Sequence, residues 1–342
     1  MTALPLEVDV GGPRQPLLTV DGLIKHFPIK GGLFGRVTAK VQAVDGVSFA
    51  VKKGETLGIV GESGCGKSTT ARLLMGLIQA DSGAMTFDGE AFAQDRASLR
   101  QLRRRMQMVF QDSYASLNPR LTIEDSIAFG PTMHGQSKAD AQAAAHELLS
   151  RVGLNPAQFA RRYPHELSGG QRQRVNIARA LALGPRLVIL DEAVSALDKS
   201  VEAQVLNLLL DLKAEFGLTY LFISHDLNVV RFSSDRVMVM YLGKVVEIGP
   251  VDALYDDPRH PYTRALLSAM PSMDPGNRTT EPPIAGDPPN PINPPAGCRF
   301  HTRCPFAEPV CGTKEPVLAD PQGADHAVAC HMAVPGSGHS KA

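Results

Sequence analysis

The residues best suited to chemistry begin with a glycine-rich stretch, GESGCGKS, which runs from Gly61 to Ser68. It matches the pattern G-x-x-x-x-G-K-[ST], in which glycines let backbone N–H groups turn toward phosphate oxygens. Lys67 would reach the outer phosphates, and the Ser68 hydroxyl would take a Mg²⁺ position. A short apolar run precedes the stretch and a helical pattern follows it, which is the context that a phosphate site needs. The expected nucleotide contacts are Gly61, Glu62, Ser63, Gly64, Cys65, Gly66, Lys67, Ser68 and Thr69, with Cys65 as a small filler rather than a redox group.

A second stretch, RLVILDEA from Arg186 to Ala193, ends an apolar run with two adjacent carboxylates. Asp191 is placed to hold Mg²⁺, directly or through water, and Glu192 to accept a proton from an attacking water. Two acids at a strand end can instead cap the following helix, but the phosphate loop favours the catalytic interpretation. Gln111 and His225 also follow apolar runs. Gln111 would hold Mg²⁺ or the water, and His225 would hydrogen-bond the γ-phosphate or the water.

A third stretch, LSGGQRQRVNIARAL, covers Leu167 to Leu181. It places Ser168, Gly169, Gly170 and Gln171 at the start of a helix, where a hydroxyl and backbone donors face an anion. It has no lysine to reach a phosphate in this order, and it lies far along the chain from the first loop. The alternative is a plain helix cap by Ser168, which stabilises a helix by about 1 kcal/mol.

The elements that position these residues are read from four apolar runs, each of which ends abruptly at polar residues. The runs are Leu57–Val60, Met106–Phe110, Leu187–Leu190 and Tyr220–Ile223. Apolar runs without alternation are typical of strands covered on both faces, as in a parallel sheet flanked by helices. Ligands of such sheets bind beyond the carboxyl ends of the strands, where the polar residues would gather. The fold class is therefore α/β, with a parallel sheet flanked by helices.

The remaining pattern divides the chain into further segments. Residues 1–16 are expected to be an N-terminal arm, and the first strand is expected at Leu17–Val20, followed by a surface loop between Phe27 and Val41. Helical spacing from Ser137 to Val152, and again from Gly170, predicts a helical subdomain over about 112–180, inserted in a domain that covers 17–257. Prolines predict a stiff linker over 258–297, which leads to a small cysteine-rich module over 298–342.

Composition excludes several classes of protein. Lys plus Arg and Asp plus Glu both total 35, so no basic field recruits nucleic acid. No window approaches the roughly 18 apolar residues of a membrane-spanning helix, and the first residues lack a signal-peptide pattern, so a cytoplasmic protein is expected. Four of the five cysteines, Cys298, Cys304, Cys311 and Cys330, crowd into the last stretch, which in a reducing compartment suggests metal before disulfides.

The combination of LSGGQ with LVILDEAVSALD resembles the ABC (ATP-binding cassette) ATPases, which implies a P-loop NTPase core that binds and hydrolyses MgATP. In that family the signature of one domain closes over ATP held by the phosphate loop of another. Matched by residue, the Walker A loop is Gly61–Ser68, the Q-loop glutamine Gln111, the signature Ser168–Gln171, the Walker B acids Asp191 and Glu192, the D-loop Ser195–Asp198, and the switch histidine His225. The signature and Asp198 would thus contact the partner's ATP.

Two positions stand apart within this resemblance. Phe27 lies where the family's adenine-stacking aromatic is expected, although an aromatic at the end of a short strand is as often part of the core. Ala193 departs from the family, which usually has proline there. Because it only adjoins the acids, we expect little effect on chemistry and some loss of rigidity in the turn.

Three further segments resemble the ATPase subunits of oligopeptide and dipeptide importers, with nickel importers sharing part of the pattern: FQDSYASLNPR (Phe110–Arg120), HPYTRALLSAMP (His260–Pro271) and NPINPPAGCRFHTRCPFA (Asn290–Ala307). In these subunits the four matching cysteines bind a [4Fe-4S] cluster. The spacing, with five residues between Cys298 and Cys304, six to Cys311 and eighteen to Cys330, lacks C-x-x-C pairs, and zinc or disulfides remain alternatives. The module is expected to need its metal to fold. Three nearby histidines are expected to be solvated: His301, His326 and His331.

The resemblance implies a set of partners. They are a second ABC ATPase subunit, a paralogue rather than a second copy of this chain, two transmembrane permease subunits and an extracytoplasmic substrate-binding protein. The expected location is the cytoplasmic face of the plasma (inner) membrane. A soluble ABC ATPase of translation or repair is a rival, but this chain has one cassette and no sustained heptads. An iron–sulfur redox enzyme is a second rival, for which no catalytic cluster is evident near the cysteines.

Overall fold

The computed structural model describes residues 11–12, 14–31, 36–92, 95–270, 286–287 and 289–342. The strands are β1 Leu18–Gly31, β2 Arg36–Val51, β3 Thr56–Val60, β4 Ser82–Phe87, β5 Glu90–Ala91, β6 Met106–Val109, β7 Leu187–Asp191, β8 Thr219–Ile223, β9 Arg236–Tyr241, β10 Lys244–Pro250 and β11 Ala327–Val328. The α-helices are α1 Lys67–Leu74, α2 Arg96–Arg105, α3 Ile123–Met133, α4 Lys138–Arg151, α5 Pro156–Phe159, α6 Gly169–Leu181, α7 Lys199–Phe216, α8 Leu227–Ser233, α9 Val251–Asp256, α10 Pro261–Ser268 and α11 Pro309–Thr313.

These elements fall into two compact units. The first unit contains Met1–Leu18, Val51–Thr56 and Thr86–Ser224, and the second contains Thr19–Ala50, Leu57–Met85 and His225–Ala342. Each unit is built from strands with an apolar interior and from helices, several of which are capped by polar side chains.

The first unit is organised on three parallel strands, with β7 between β6 and β8. Every residue of β7 and β8 is buried, because each strand is covered on both faces. The predictions of buried strands at Leu187–Leu190 and Tyr220–Ile223 are therefore confirmed. The run predicted at Met106–Phe110 forms β6 as far as Val109, whereas Phe110 lies beyond the strand and is exposed. The α/β class with a parallel sheet is also confirmed.

Helices α3, α4 and α6 of the first unit pack against one another. Each begins where a side-chain oxygen accepts an amide hydrogen of the first turn: Thr122 for α3, Ser137 for α4 and Ser168 for α6. The helix expected from Ser137 to Val152 is thus confirmed as α4. The helix expected from Gly170 is confirmed as α6.

The second unit contains β3 paired in parallel with β9, then β10 and β11 added in antiparallel order. The strand β11 lies near the C-terminus, so the last part of the chain completes an edge of this sheet. The helix expected after the glycine-rich loop is α1, which begins at Lys67.

The prediction of a surface loop between Phe27 and Val41 is wrong. The stretch between Phe27 and Val41 forms the facing ends of two long strands, β1 and β2, and only residues 32–35 lie outside the described residues. Thr38 on β2 donates its hydroxyl hydrogen to the Ile29 carbonyl on β1, at 3.2 Å. The β-branched residues Val37, Thr38 and Val41 suit an extended pair, and this preference outweighs the glycines.

The outer segments are only partly described. Residues 1–10 and Pro13 of the expected N-terminal arm, and 271–285 and Pro288 of the expected linker, lie outside the described residues. Within that linker, residues 261–268 form helix α10 instead. Pro261 is its first residue, a position where the backbone N–H that proline lacks would have no partner within the helix. The domain boundaries themselves stay predictions.

Candidate functional site

The glycine-rich loop joins the buried strand β3 to helix α1 in the second unit. Two of its glycines are required by close backbone approach. A Cβ at Gly61 (φ 146°) would lie 2.2 Å from the Met240 carbonyl oxygen, and one at Gly66 (φ 111°) would lie 2.3 Å from the Ala43 carbonyl oxygen. Only glycine fits both the space and the backbone angle at these positions.

Lys67 is the cation of this loop, and its side chain is turned onto the loop itself. Its ammonium donates to the carbonyl oxygens of Gly61 at 2.6 Å and Glu62 at 3.0 Å, and Lys67 is buried. The neighbouring Cys65 is also buried, and burial raises the pKa of its thiol. The loop therefore holds a fixed positive charge and a protonated thiol.

The Walker B acids follow β7 in the first unit. Asp191 is the last residue of the strand and is buried, whereas Glu192 has a left-handed backbone with φ 49°. This conformation costs about 1 kcal/mol for a residue with a side chain. The Glu192 amide donates to the Ile223 carbonyl at the end of β8, at 2.9 Å.

Gln111 and Glu192 are brought together by the neighbouring ends of β6 and β7. The Gln111 side-chain amide donates to a Glu192 carboxylate oxygen at 2.7 Å, across 81 residues of sequence. A carboxylate held in this way has a second oxygen that can accept a proton from water.

The signature residues begin α6 in the first unit. Ser168 accepts the Gln171 amide hydrogen at 3.3 Å, and the Gln171 side chain accepts the Ser168 amide hydrogen at 3.0 Å. This reciprocal capping box is the helix-cap role considered from the sequence. Ser168 remains exposed to solvent, and Asp198, which precedes α7, is exposed as well.

The last two expected ATP-site residues are both exposed and lie in the second unit. Phe27 is 37% exposed on β1, with the Lys25 ammonium 5.6 Å from its ring centroid. His225 follows β8 and precedes α8.

The four clustered cysteines line one cavity in the second unit. Its wall contains Cys298, Cys304, Cys311 and Cys330, together with aromatic and histidine side chains such as Phe300 and His260. Burial, together with the charges of the neighbouring cysteines, raises the pKa of Cys298 to about 12 and that of Cys330 to about 11. Within the described parts of the chain, no three His, Cys, Asp or Glu side chains are grouped so as to hold a single metal ion.

Two histidines of this region differ from the expectation that they are solvated. His326 is 1% exposed and pairs with Glu247 at 2.7 Å, and His331 is 7% exposed and bonds the Lys314 carbonyl at 2.9 Å. Their polar neighbours come from segments that are distant in sequence, so composition alone does not reveal their burial. His301 is half-buried and contacts the Cys298 carbonyl at 2.8 Å.

Sequence reasoning missed two residues that contact the phosphate loop. Arg303 and Tyr262 both bond Glu62, through its carboxylate and its amide respectively. Tyr262 lies in the HPYTR segment and Arg303 in the HTRC segment, which served only to identify the branch of the family. Their charge and hydroxyl were the available signals, but nothing local indicates their partner.

None of the helices in the described ranges is both long enough and apolar enough to cross a membrane.

Two family models match the chain. A model described as ABC transporter matches residues 44–195, and a model described as oligopeptide/dipeptide transporter, C-terminal region, matches residues 246–311.

Relatives match over most of the chain. A probable peptide ABC transporter ATP-binding protein of Sinorhizobium fredii is 54% identical over 322 residues, which are 93% of this chain and 90% of the relative. An oligopeptide transport ATP-binding protein of Bacillus subtilis is 51% identical over 93% of this chain and 98% of the relative.

Solved structures of ATP-binding cassettes share the fold. A subunit of an ABC transporter complex from Clostridium perfringens is 27% identical with a TM-score of 0.62, covering 71% of this chain and 92% of that chain. A dimeric cassette in a post-hydrolysis state, bound to ADP and phosphate, is 29% identical with a TM-score of 0.60, covering 68% of this chain and 98% of that chain.

Proposed function

The chain belongs to the ATP-binding subunits of the ABC transporter family, an ATPase family whose members work with membrane permeases, and on that premise we propose that it powers the import of di- or oligopeptides. The observation that carries the enzymatic part is the Gln111–Glu192 hydrogen bond at the end of β7. The peptide substrate is supported by the relatives, two of which are named for peptide and oligopeptide transport. Nickel import, and a role outside transport, are the alternatives that the experiments below separate.

ATP binding is assigned to the loop between β3 and α1. The Lys67 ammonium now donates to two loop carbonyls, and the outer phosphates of ATP would take their place with full negative charge. Ser68, Asp191 and Gln111 are the proposed Mg²⁺ ligands, and Phe27 is the proposed adenine platform. The loop amides and the start of α1 add positive potential to the same site.

Hydrolysis is assigned to Glu192 as the base that accepts the proton of the attacking water, with Gln111 and His225 positioning the reactants. Glu192→Gln keeps the shape of the side chain but removes its basicity, so we expect turnover to fall by about a hundredfold or more while ATP binding persists. Glu215→Gln, on the exposed end of α7, is the matched control and should hydrolyse ATP normally. Normal hydrolysis by Glu192→Gln would remove the base assignment.

A second ATPase subunit is proposed to complete each site, as a paralogue rather than a second copy of this chain. Ser168–Gln171 and Asp198 would then face the partner's ATP. The exposure of Ser168 and Asp198 supports this assignment, as does the dimeric state of a related cassette. With MgATP and the co-expressed partner, Glu192→Gln should form a complex of both ATPases in light scattering, and adding Ser168→Arg should prevent it. A complex that tolerates Ser168→Arg would contradict this role.

The proposed assembly also contains two permease subunits and an extracytoplasmic substrate-binding protein, with this chain at the cytoplasmic face of the plasma membrane and no nucleic acid. Affinity purification from membranes, followed by mass spectrometry, should recover both permeases. Reconstituted vesicles should take up labelled peptides and not nickel. Recovery of ribosomal or DNA-repair proteins without permeases would favour the non-transport alternative.

The four cysteines are proposed to hold a [4Fe-4S] cluster, with zinc as the alternative. Zinc needs sulfurs about 2.3 Å from one ion, whereas a cluster is bound through its separate irons. The four cysteine side chains line one cavity, and soft thiolates are the usual ligands of an iron–sulfur cluster. Such a cluster supplies redox-active iron held by thiolates.

His260 in the cavity wall offers an independent test of this fit. Its Nδ1 accepts the Tyr262 amide hydrogen at 3.0 Å, so its proton is on Nε2. Burial lowers the pKa of His260 to about 4, which leaves the ring neutral. Its Nε2 is buried and has no hydrogen-bond partner among the described residues. An N–H donor of this kind suits an anionic sulfur-rich group.

Iron and acid-labile sulfide measured on anaerobically purified protein distinguish the two metals. We expect four of each per chain, a broad absorbance near the visible range that bleaches on reduction, and loss of both in Cys311→Ser. Stoichiometric zinc with no sulfide would establish the alternative.

A further inference from the structure

The phosphate loop carries a carboxylate that the ATP chemistry does not use. Glu62 is its second residue, and the carbonyl of the same residue accepts a hydrogen bond from Lys67 at 3.0 Å. A free carboxylate beside this lysine would compete for its charge and repel the triphosphate. The loop therefore needs the negative charge of Glu62 to be neutralised.

Arg303 supplies that charge from the cysteine-rich module. Its guanidinium donates two parallel hydrogen bonds to the two Glu62 carboxylate oxygens, at 3.0 and 3.2 Å. The side chain of Arg303 is only 7% exposed and that of Glu62 is 25% exposed, so solvent screens the pair weakly. A paired fork of this kind fixes direction as well as charge.

Aromatic side chains pack around Arg303 and the phosphate loop and fix their relative positions. The Glu62 amide donates to the Tyr262 hydroxyl at 2.9 Å, and the Tyr262 ring lies 4.6 Å from Tyr241 and 5.3 Å from Phe300 between centroids. Arg303 also donates to the Tyr241 hydroxyl at 3.3 Å. The residue next to Arg303 is Cys304, which lines the cysteine cavity.

We propose that Arg303 is a positioning residue for ATP binding, which neutralises Glu62 and holds it away from the triphosphate, so that the cysteine-rich module sets the nucleotide affinity of the phosphate loop. This role does not depend on which metal the cysteines hold. It gives the module an effect on the ATPase through one ion pair.

The test compares Arg303→Met in two backgrounds of the full-length protein, with binding of a fluorescent ATP analogue in Mg²⁺ as the readout. With Glu62 present, we expect the dissociation constant to rise about tenfold, and the rise to shrink in 0.5 M salt because charge repulsion is screened. In the Glu62→Gln background the same replacement should change the constant by less than about twofold, since no carboxylate is left to repel ATP.

Arg259→Met is the matched control. Arg259 holds the C-terminal segment through the His326 carbonyl and Gln322 but does not bond Glu62. It should leave the dissociation constant within about twofold of the wild type. If Arg303→Met does not fold, Arg303→Lys carries the same comparison. A lysine loses the paired fork, so binding should weaken about threefold beside Glu62 and not beside Gln.

Steady-state hydrolysis by the assembled transporter gives a second readout. Arg303→Met should raise KM for ATP and leave kcat within about twofold, because the arginine acts before chemistry. Three results would each overturn the proposal. They are an equal loss of ATP affinity in both Glu62 backgrounds, a loss of affinity that does not change with salt concentration, and a fall in kcat at unchanged KM.

Discussion

Glu247 lies on β10, and its replacement should destabilise the packing of the cysteine-rich end of the chain against the sheet. Its side chain is fully buried, and its carboxylate accepts three hydrogen bonds: from the Arg259 amide at 2.7 Å, the His260 amide at 3.0 Å and the His326 ring at 2.7 Å. Glu247→Ala removes the acceptor of all three donors, of which the His260 amide and the His326 ring are buried and the Arg259 amide is half-buried. The variant therefore tests how strongly one carboxylate ties α10 and β11 to the sheet.

The magnitude follows from leaving several donors without an acceptor at a cost of about 1–3 kcal/mol each, so a loss of about 3–5 kcal/mol is expected. Glu247→Gln keeps one acceptor oxygen but turns an amide NH₂ toward a donor, so about half of that loss is expected. The assay is urea unfolding of the full chain, followed by circular dichroism. Glu315→Ala is the control, because its carboxylate is 59% exposed beside Lys244, and it should cost less than about 1 kcal/mol.

A loss below about 1 kcal/mol for Glu247→Ala would refute this reasoning, since it would mean that water reaches the site and replaces the carboxylate. A loss equal to that of Glu315→Ala would do the same. Hydrogen exchange should also show faster opening of 326–331 in the variant than in the control.

The remaining predictions concern acid and glycine. Burial alone would raise the pKa of Glu247, but the hydrogen bond from His326 and its other hydrogen bonds lower that pKa below the ordinary value. The ionised carboxylate therefore stabilises the fold above about pH 4.3, and this stabilisation is lost as the pH falls below that value. The unfolding free energy of the wild type should drop more steeply in this acid range than that of Glu247→Gln. Gly61→Ala, whose Cβ meets a carbonyl oxygen at 2.2 Å, should lower the melting temperature far more than Gly64→Ala, whose Cβ meets nothing within 4 Å and which pays about 1 kcal/mol of backbone strain. Gly170→Ala places a Cβ 2.5 Å from a valine methyl and should cost about 1–3 kcal/mol in urea unfolding, and a variant as stable as wild type would contradict the packing argument.

Strand positions were predictable because burial on both faces leaves a direct mark on the sequence. The run before Asp191 is entirely apolar, and the run before Gln111 has one polar residue, the half-buried Gln107, among four apolar ones. The β1–β2 pair was missed for the opposite reason. Many of its residues are polar, glycine or exposed, so it lacks the continuous apolar run that is typical of a covered strand.

The sequence predicts which residues form the ATP site, but it does not predict which of their side chains contact one another. The glycine spacing around Lys67 and the acids at Asp191 and Glu192 are local patterns that chemistry constrains. The bond between Gln111 and Glu192 spans 81 residues, and the one between Glu62 and Arg303 spans 241. Such pairs depend on how distant elements pack, and no local pattern records that packing.

The cysteine-rich module is more than a tail closed by metal. It adds β11 to the edge of β10, provides His326 to Glu247 and places Arg303 on Glu62. These and other contacts, such as the Arg299–Asp45 ion pair, fix the module in the second unit. Metal binding would add to these contacts rather than replace them, because each contact joins two protein groups and needs no metal. The module was expected to fold only with its metal, and these contacts predict a different result. Chelation should loosen the cysteine cavity first, while the strand pairing of β11 persists. Truncation before Cys298, in contrast, removes all of these contacts at once, and it should weaken ATP binding at least as much as Arg303→Met because it leaves Glu62 unpaired beside Lys67.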